Sequence, residues 1–210
     1  MHTKYHVEIT QKALEKQFSD SALKTIIHAN IRQDRLLYAL GHDHIHFDGS
    51  AFQKGFDYIS LQEQLIYEHM SHLNYDFARQ ALGRMLHSWQ DFYSHSNYIK
   101  LWLDQNRNST PESILIDDPK IMNHPDLISG KNYGVIEFIA LLPGVSRLVL
   151  PLMPSDSHAK MNLDLPSSSP YFDYAYWAAL KRTNKVFDLV IQELIRRDVD
   201  ENIICCFKYQ

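Results

Sequence analysis

The sequence predicts an all-α fold, a single-domain helical bundle covering residues 1–210, and three observations support this prediction. Apolar residues recur at helical spacing through most of the chain. Glycine and proline are sparse, at 7 and 8 residues, which disfavours a turn-rich all-β chain. No stretch alternates apolar and polar residues for long enough to require a sheet. A chain of this length can bury one core of its own.

The N-terminal part of the chain predicts three consecutive helical segments. Val7 to Phe18 carries apolar residues at helical spacing, and Ser19 and Asp20 supply caps for a second helix. A third apolar run covers Ile31 to Leu40 and stops at a glycine. The histidine-rich residues 42–49 end in turn-forming residues, which predicts a loop.

Two further helical regions follow, separated by irregular connections. Tyr58 to Gln105 lacks proline and contains a single glycine, which predicts two helices or one long bent helix. Asn106 to Gly130 is polar and predicts a surface connection. Pro151 to Pro170 predicts another connection, and Tyr171 to Arg197 predicts a closing amphipathic helix.

The most apolar stretch, Gly134 to Pro154, is interrupted by charged residues, glycine and proline. A membrane-spanning helix needs about 20 mostly uninterrupted apolar residues. We therefore expect buried helices around a kink, with peripheral contact to a lipid surface as the weaker alternative.

Composition excludes several classes of partner and site. The formal net charge of -4 offers no basic surface for a polyanion, so nucleic acid is not the favoured partner. The two cysteines, Cys205 and Cys206, are adjacent, which excludes a disulfide framework and a cysteine-based zinc site. Any metal must then be bound by nitrogen and oxygen. The N-terminus has no apolar signal core, which predicts a cytoplasmic protein, although secretion by a signal-independent route stays compatible.

The sharpest local signal is a polar triplet in an otherwise apolar helix. His87, Asp91 and His95 lie at positions i, i+4 and i+8, so they share one helical face. Imidazoles and a carboxylate one turn apart converge as metal sites require. Two histidines with ordinary hydrogen bonds are the alternative, but a polar stripe inside an apolar helix needs partners or a metal.

Other candidate ligands are weaker when taken alone. His42, His44 and His46 alternate along a loop, and His158 and Asp164 lie six residues apart in another. Surface positions would explain each of them equally well. His6 and Asp34 carry no local signal of their own.

Together these segments resemble the Het-C family, which is similar to the zinc-dependent phospholipases C and the single-strand zinc nucleases. The resemblance runs from Tyr5 to about Thr183, and its most distinctive part is the block from Leu82 to Asn97. The supporting segments are His6 to Leu14, His46 to Asp48, His124 to Gly130, and Ser157 to Asp164. The resemblance implies an all-α fold of the zinc-dependent phospholipase C type.

The same resemblance implies two or three Zn²⁺ ions and their ligands. One implied site comprises Asp34, His46, His87 and Asp91; a second comprises His95, His158 and Asp164; and His6 with a shared Asp91 belongs to a third. Where the phospholipases have a glutamate four residues beyond their later histidine, this chain has Asn162, so Asp164 would serve instead. His2 would complete the third site. Asp48 and Asn97 are candidates for fixing the imidazole tautomers.

The implied function is a zinc-dependent phosphodiester hydrolase, a phospholipase C that cleaves phospholipid head groups with a zinc-activated water. Asp34 or Asp91 would accept the proton of that water, although Asp91 fits better as a simple ligand. A non-catalytic Het-C-like lipid-interacting or interaction protein is the first alternative. A zinc nuclease is the second.

Overall fold

The computed structural model describes residues 1–35, 42–134, 136, 139, 146–167 and 169–210, and these are mostly helical. The helices in this part of the chain are α1 Thr3–Leu14, α2 Asp20–Ile31, α3 Phe52–Ser71, α4 Tyr75–His95, α5 Tyr98–Gln105, α6 Pro119–Met122, α7 Ser146–Val149, α8 His158–Met161, α9 Phe172–Arg196 and α10 Glu201–Tyr209. Pairing between extended residues is limited there to two isolated bridges. The all-α prediction is therefore confirmed, whereas the single domain stays a prediction.

Helix α4 is the central element, because α2, α3 and α9 all pack against it. Most of its side chains from Ala78 onwards are buried, including the polar His87, Gln90 and Asp91. Burial of so many polar groups is costly unless each finds a partner. The centre of the bundle is therefore both the apolar core and the place where polar side chains meet.

Helix boundaries follow local signals in some places and tertiary contacts in others. Ser19 caps α2 as predicted, because its side chain accepts a hydrogen bond from the backbone N–H of Ala22 at 3.3 Å. The expectation of two helices or one bent helix between Tyr58 and Gln105 was wrong, since α3, α4 and α5 are three separate helices. The first break contains Leu73, with a φ of 59°, and the second contains the extended Ser96. Neither break contains glycine or proline, so composition did not indicate them.

Helix α10 was not predicted. It begins after Asp200, whose carboxylate accepts a hydrogen bond from the N–H of Asn202 at 2.8 Å. Its Phe207 is fully buried, and its carbonyl accepts a hydrogen bond from Arg79 Nε on α4 at 2.9 Å. This contact joins the C-terminal helix to the centre of the bundle.

In the most apolar stretch of the sequence Met153 is buried, but most of the other described residues are exposed or half-buried. Leu148 and Leu152 are 76% and 84% exposed, because the four-residue α7 runs into a 3-10 turn through Pro151 and is too short to bury an apolar face. The expectation of buried helices was therefore wrong for these residues. Residues 135, 137–138 and 140–145 of this stretch, residues 36–40 of the third apolar run, and the Gly41 that ends this run lie outside the described residues. Among the described helices, none is both long and apolar enough to cross a membrane.

Gly83 lies where α4 crosses α2. A Cβ at this position would lie 2.3 Å from the carbonyl oxygen of Ile26 and 3.0 Å from the Cβ of Ala29. Backbone atoms cannot swing aside as a flexible side chain can. The close approach of the two helices therefore depends on the missing side chain.

We expect Gly83→Ala to lower the free energy of unfolding by about 1–3 kcal/mol, as overpacking typically does. In an open helix the same change would raise stability by roughly 0.5–1 kcal/mol. The sign of the measured change therefore shows whether α2 and α4 need this close contact. Urea unfolding followed by circular dichroism measures it. Lys24→Ala, at an exposed position of α2, is the control. A stabilised Gly83→Ala variant would show that the helices do not require this close contact.

Candidate metal centre

The polar stripe of α4 points into the interior of the bundle. His87 and Asp91 are fully buried and His95 is 5% exposed. The i, i+4, i+8 spacing places their ring and carboxylate atoms on one face, as the sequence predicted. Residues from α1, the 42–50 loop and the 157–164 segment meet that face.

A first group of ligand atoms surrounds the Asp91 carboxylate. Its Oδ2 lies 2.8 Å from His46 Nδ1 and 3.0 Å from His87 Nε2, and its Oδ1 lies 3.1 Å from His6 Nε2. His87 Nε2 is also 3.1 Å from His46 Nδ1 and 3.7 Å from Asp34 Oδ1. Ligands of a tetrahedral zinc ion, each about 2.0–2.1 Å from the metal, lie roughly 3.3 Å from one another. The observed separations match such a set.

A second group lies beside it and faces Asp164. His95 Nε2 is 3.2 Å from Asp164 Oδ1, and His158 Nε2 is 3.9 Å from Asp164 Oδ2. Asp91 Oδ1 lies 3.8 Å from His95 Nε2, so the Asp91 carboxylate borders both groups. A carboxylate in this position can bridge two metal ions a few ångströms apart.

Asp48 also approaches this second group, but from behind the imidazoles. Its Oδ1 lies 2.9 Å from His158 Nδ1 and 3.3 Å from His95 Nδ1, and the latter nitrogen is 2.9 Å from the carbonyl oxygen of His46. Asp48, His95 and His158 could by themselves surround an ion. The hydrogen bonds favour a different role, in which Asp48 accepts the Nδ1–H of His158, the carbonyl of His46 accepts that of His95, and both Nε2 atoms are left to face Asp164. This is the tautomer-fixing role that the sequence analysis suggested.

A strained loop carries His46 and Asp48 into the centre. Phe47, between them, is fully buried and has a φ of 58°, a left-handed conformation that is rare for a bulky residue. Its ring fills the space above Gly55, where a Cβ would lie 2.6 Å from a ring carbon. Core packing of Phe47 thus holds the loop in a conformation that places the residues on either side at the site.

The segment around Gly130 is held close to both His95 and His158. Gly130 N donates to the carbonyl of His95 at 3.0 Å, and a Cβ on Gly130 would lie 2.6 Å from the Cα of His158. Ser129 Oγ accepts a hydrogen bond from Ser50 N at 2.8 Å, which ties the same segment to the 42–50 loop. The segment from His124 to Gly130 therefore supplies no ligand but fixes the distance between His95 and His158.

Burial and neighbouring charges set the ionisation of the first group. Burial lowers the pKa of His87 to about 4, against the opposing charge of Asp91. Burial alone would raise the pKa of the Asp91 carboxyl, but the α-amino group of Met1 and the imidazoles of His95 and His87 hold it well below its usual range. A buried carboxylate therefore stays ionised next to a neutral imidazole. That combination suits a metal ion, which needs deprotonated ligands.

The α-amino group of Met1 also lies at the centre. It contacts Asp91 Oδ1, and it is 2.9 Å from His95 Nε2 and 3.0 Å from Asp164 Oδ1. Burial opposes its charge, but the two carboxylates raise its pKa to about 11. His2, considered as a ligand from the sequence, instead caps α1, where its Nδ1 accepts a hydrogen bond from Lys4 N.

Behind the histidines lies a buried amide network that sequence reasoning missed. Gln90 Oε1 is 2.6 Å from His6 Nδ1, and Asn30 Oδ1 is 3.3 Å from His87 Nδ1. Gln90 Nε2 donates to Thr10 Oγ1 and Thr183 Oγ1, both at 3.1 Å. The one sequence signal for this network was that Gln90, a polar residue, directly precedes Asp91 in an otherwise apolar helix.

The structure brings all eight predicted ligands together: His6, Asp34, His46, His87, Asp91, His95, His158 and Asp164. Asp34 is held by Thr3, whose Oγ1 donates to Asp34 Oδ2 at 2.7 Å. Asp34 and Asp164, with side chains 25% and 23% exposed, mark the open side of the centre.

Asn162 does not take part, because its side chain donates to the backbone carbonyls of His158 and Ala159. Asn97 was wrongly suggested, since its side chain bonds the backbone of Asp126 and Ile128.

Comparison with known proteins identifies a different family from the one that the sequence motifs resembled. A family model described as the VWA7 N-terminal domain matches residues 2–124. The von Willebrand factor A domain-containing protein 7 of Rattus norvegicus is 39% identical over 83 residues, which are 39% of this chain and 9% of the relative. The Homo sapiens protein of the same name is 28% identical over 159 residues, 71% of this chain and 17% of the relative. The chain thus spans less than a fifth of either relative. No solved structure matches.

The assignment to the Het-C family was therefore wrong, and so were the conclusions that rested on it. The comparisons support neither the phospholipase C type of fold and function nor the hydrolase class. The motifs misled because they consist mainly of histidines and aspartates at ligand spacing. Helix periodicity and metal geometry impose that spacing on any helical protein that gathers such ligands, whatever its descent.

We expect Asp91→Asn to lower the free energy of unfolding of the metal-free protein by about 3–5 kcal/mol, because it removes the carboxylate from buried, positively charged partners. Chemical denaturation in the presence of a chelator measures this loss. Asp126→Asn is the control, since Asp126 is 82% exposed and its ion pair with His124 is 3.9 Å long. Equal stabilities of the two variants would contradict the central electrostatic role of Asp91.

Proposed function

This chain belongs to the VWA7 N-terminal domain family, and we propose that it is a metal-binding domain that holds two Zn²⁺ ions through buried histidines and aspartates. The observation that carries the proposal is the convergence of three imidazole nitrogens on the ionised Asp91 carboxylate at 2.8–3.1 Å. Nitrogen and carboxylate oxygen are donors that zinc accepts.

The first ion would be held by ligands from the group around Asp91 Oδ2. His46 and His87 lie 2.8 and 3.0 Å from that oxygen, and Asp34 Oδ1 lies 3.7 Å from His87 Nε2. His6 approaches the other oxygen of the same carboxylate. Four ligands complete a closed structural site, and the group offers five. Zinc is favoured over calcium or magnesium, which prefer all-oxygen sites.

The second ion would take the place of the Met1 α-amino group, between His95 Nε2, His158 Nε2 and Asp164 and next to Asp91 Oδ1. Asp48 supports this assignment, because a carboxylate that accepts the far Nδ1–H of a metal-bound histidine fixes its orientation and raises its basicity.

Two buried imidazole nitrogens without hydrogen-bond partners support the same proposal. His6 Nε2 and His46 Nε2 are buried and have no hydrogen-bond partner among the described residues, although His6 Nε2 lies within ion-pair distance of Asp91. Buried polar nitrogens without partners are uncommon and require an explanation. A cation at the centre would supply a partner for His6 directly.

The bound ions would connect distant parts of the chain. Their proposed ligands come from α1, the 3-10 turn Arg32–Asp34, the 42–50 loop, α4 and the 157–164 segment. His6 and Asp164, the outermost of these ligands, are 158 residues apart. A metal that binds only the folded state stabilises it in proportion to its affinity. We therefore assign the ions a role in holding the domain together.

We expect about two zinc ions per chain in the purified protein, measured by elemental analysis, and a lower thermal unfolding midpoint after chelation that zinc restores. His87→Gln should lose one ion and His158→Gln the other, because each removes a ligand from a different group. Helix content should be preserved in both variants.

The matched control is His69→Gln on α3, where the ring contacts Phe77 instead of the centre. Zinc content that stays the same in His87→Gln, His158→Gln and His69→Gln would refute the ligand assignment. The absence of zinc from the wild-type protein, even after zinc is offered at neutral pH, would refute the metal-binding proposal itself.

A further inference from the structure

We propose that a hydrogen-bond chain from Ala179 through Thr183, Gln90 and Asn30 fixes His6 and His87 as Nδ1-protonated tautomers, so that both Nε2 lone pairs face Asp91 before any metal binds. This inference rests on the proposed metal-binding function and specifies how two of its ligands are oriented. Thr183, Gln90 and Asn30 would not bind the ion themselves. Gln90 and Asn30 contact the two histidines at Nδ1, the ring nitrogen that faces away from Asp91, so they act as positioning residues.

The direction of the chain is set at its outer end. Thr183 Oγ1 donates to the carbonyl oxygen of Ala179 at 2.8 Å, and a carbonyl can only accept. The single hydroxyl proton is then used, so Thr183 Oγ1 can only accept from Gln90, at 3.1 Å. The amide nitrogen of Gln90 must therefore face Thr183, and its Oε1 must face the opposite way.

The same logic carries the direction to both histidines. Gln90 Oε1 accepts from Asn30 Nδ2 at 3.1 Å and lies 2.6 Å from His6 Nδ1, which must therefore carry a proton. Because its amide nitrogen is directed at Gln90, Asn30 presents Oδ1 to His87 Nδ1 at 3.3 Å. That nitrogen is protonated for the same reason.

When Nδ1 carries the proton of a neutral imidazole, Nε2 keeps its lone pair and can act only as a hydrogen-bond acceptor or as a metal ligand. His6 Nε2 then points a lone pair at Asp91 Oδ1 from 3.1 Å, and His87 Nε2 does so towards Oδ2 from 3.0 Å. The two rings are stacked, with centroids 4.4 Å apart, so their Nε2 atoms meet the same carboxylate side by side. Lone pairs aimed at a carboxylate repel it unless a cation lies between them, and this arrangement therefore presents a donor set for a metal.

Long-range ¹H–¹⁵N NMR of the metal-free protein reads each tautomer directly. We expect both His6 and His87 to show the Nδ1–H form, and Cd²⁺ used as an NMR-active probe should couple to Nε2 of both rings. A mixture of tautomers, or the Nε2–H form at either ring, would overturn the inference. The tautomer measurement needs no metal, so its result is independent of whether the zinc proposal stands.

A variant at the outer end of the chain tests its direction without touching a ligand. Thr183→Val removes the hydroxyl at nearly constant volume and releases the Gln90 amide to flip. We expect a mixed tautomer at His6 and zinc affinity about 10-fold weaker, the lower end of typical effects of such supporting residues.

Thr25→Val is the matched control, because Thr25 Oγ1 makes the same bond to a carbonyl four residues earlier, Ser21 at 3.3 Å, and lies on the outer side of α2. Indistinguishable NMR spectra and zinc affinities of the two variants would overturn the proposal. If Thr183→Val fails to fold, the wild-type tautomers still decide the question.

Discussion

The ionised carboxylate of Asp91 is the constraint on which the rest of the structure depends. An ionised group in a helix core is strongly unfavourable unless several partners compensate it. Here the α-amino group of Met1 contacts it and His46 Nδ1 lies 2.8 Å from it, while His6 and His87, both within 3.1 Å, would reach it through a bound cation. The elements that carry these histidines must therefore be brought together whenever α4 is buried.

Bringing them together requires backbone positions that tolerate little variation. Gly83 lets α2 approach α4 closely enough for Asn30 to reach His87, and Gly130 lets the 129–131 segment lie against His158. The strained Phe47 holds the intervening loop through core packing. The packing of the apolar core and the hydrogen bonding of the buried polar groups thus depend on the same few residues. The centre therefore cannot be separated from the core that surrounds it.

The predictable part of the site is the part that depends on local geometry. The triplet of His87, Asp91 and His95 followed from helix periodicity alone, and the capping of α2 by Ser19 followed from residue type. Gln90 was not recognised, because its partners Thr10 and Thr183 lie 80 and 93 residues away. Likewise, the breaks at Leu73 and Ser96 lack glycine and proline. Contacts across long sequence separations leave no periodic signal to detect.

The wrong family assignment has a related physical origin. Ligand residues are constrained by the geometry that a metal imposes, so their spacing on a helix reports the chemistry of the site more than the descent of the chain. Residues that only support the ligands are freer to differ between families. In this chain neutral amides hold His6 and His87, whereas the carboxylate of Asp48 holds His158. A neutral support leaves the negative charge concentrated on Asp91, whereas a charged one spreads it over the second group. Two centres with the same ligands can therefore differ in charge distribution. The residues that hold the ligand side chains, and not the ligands, then distinguish one such centre from another.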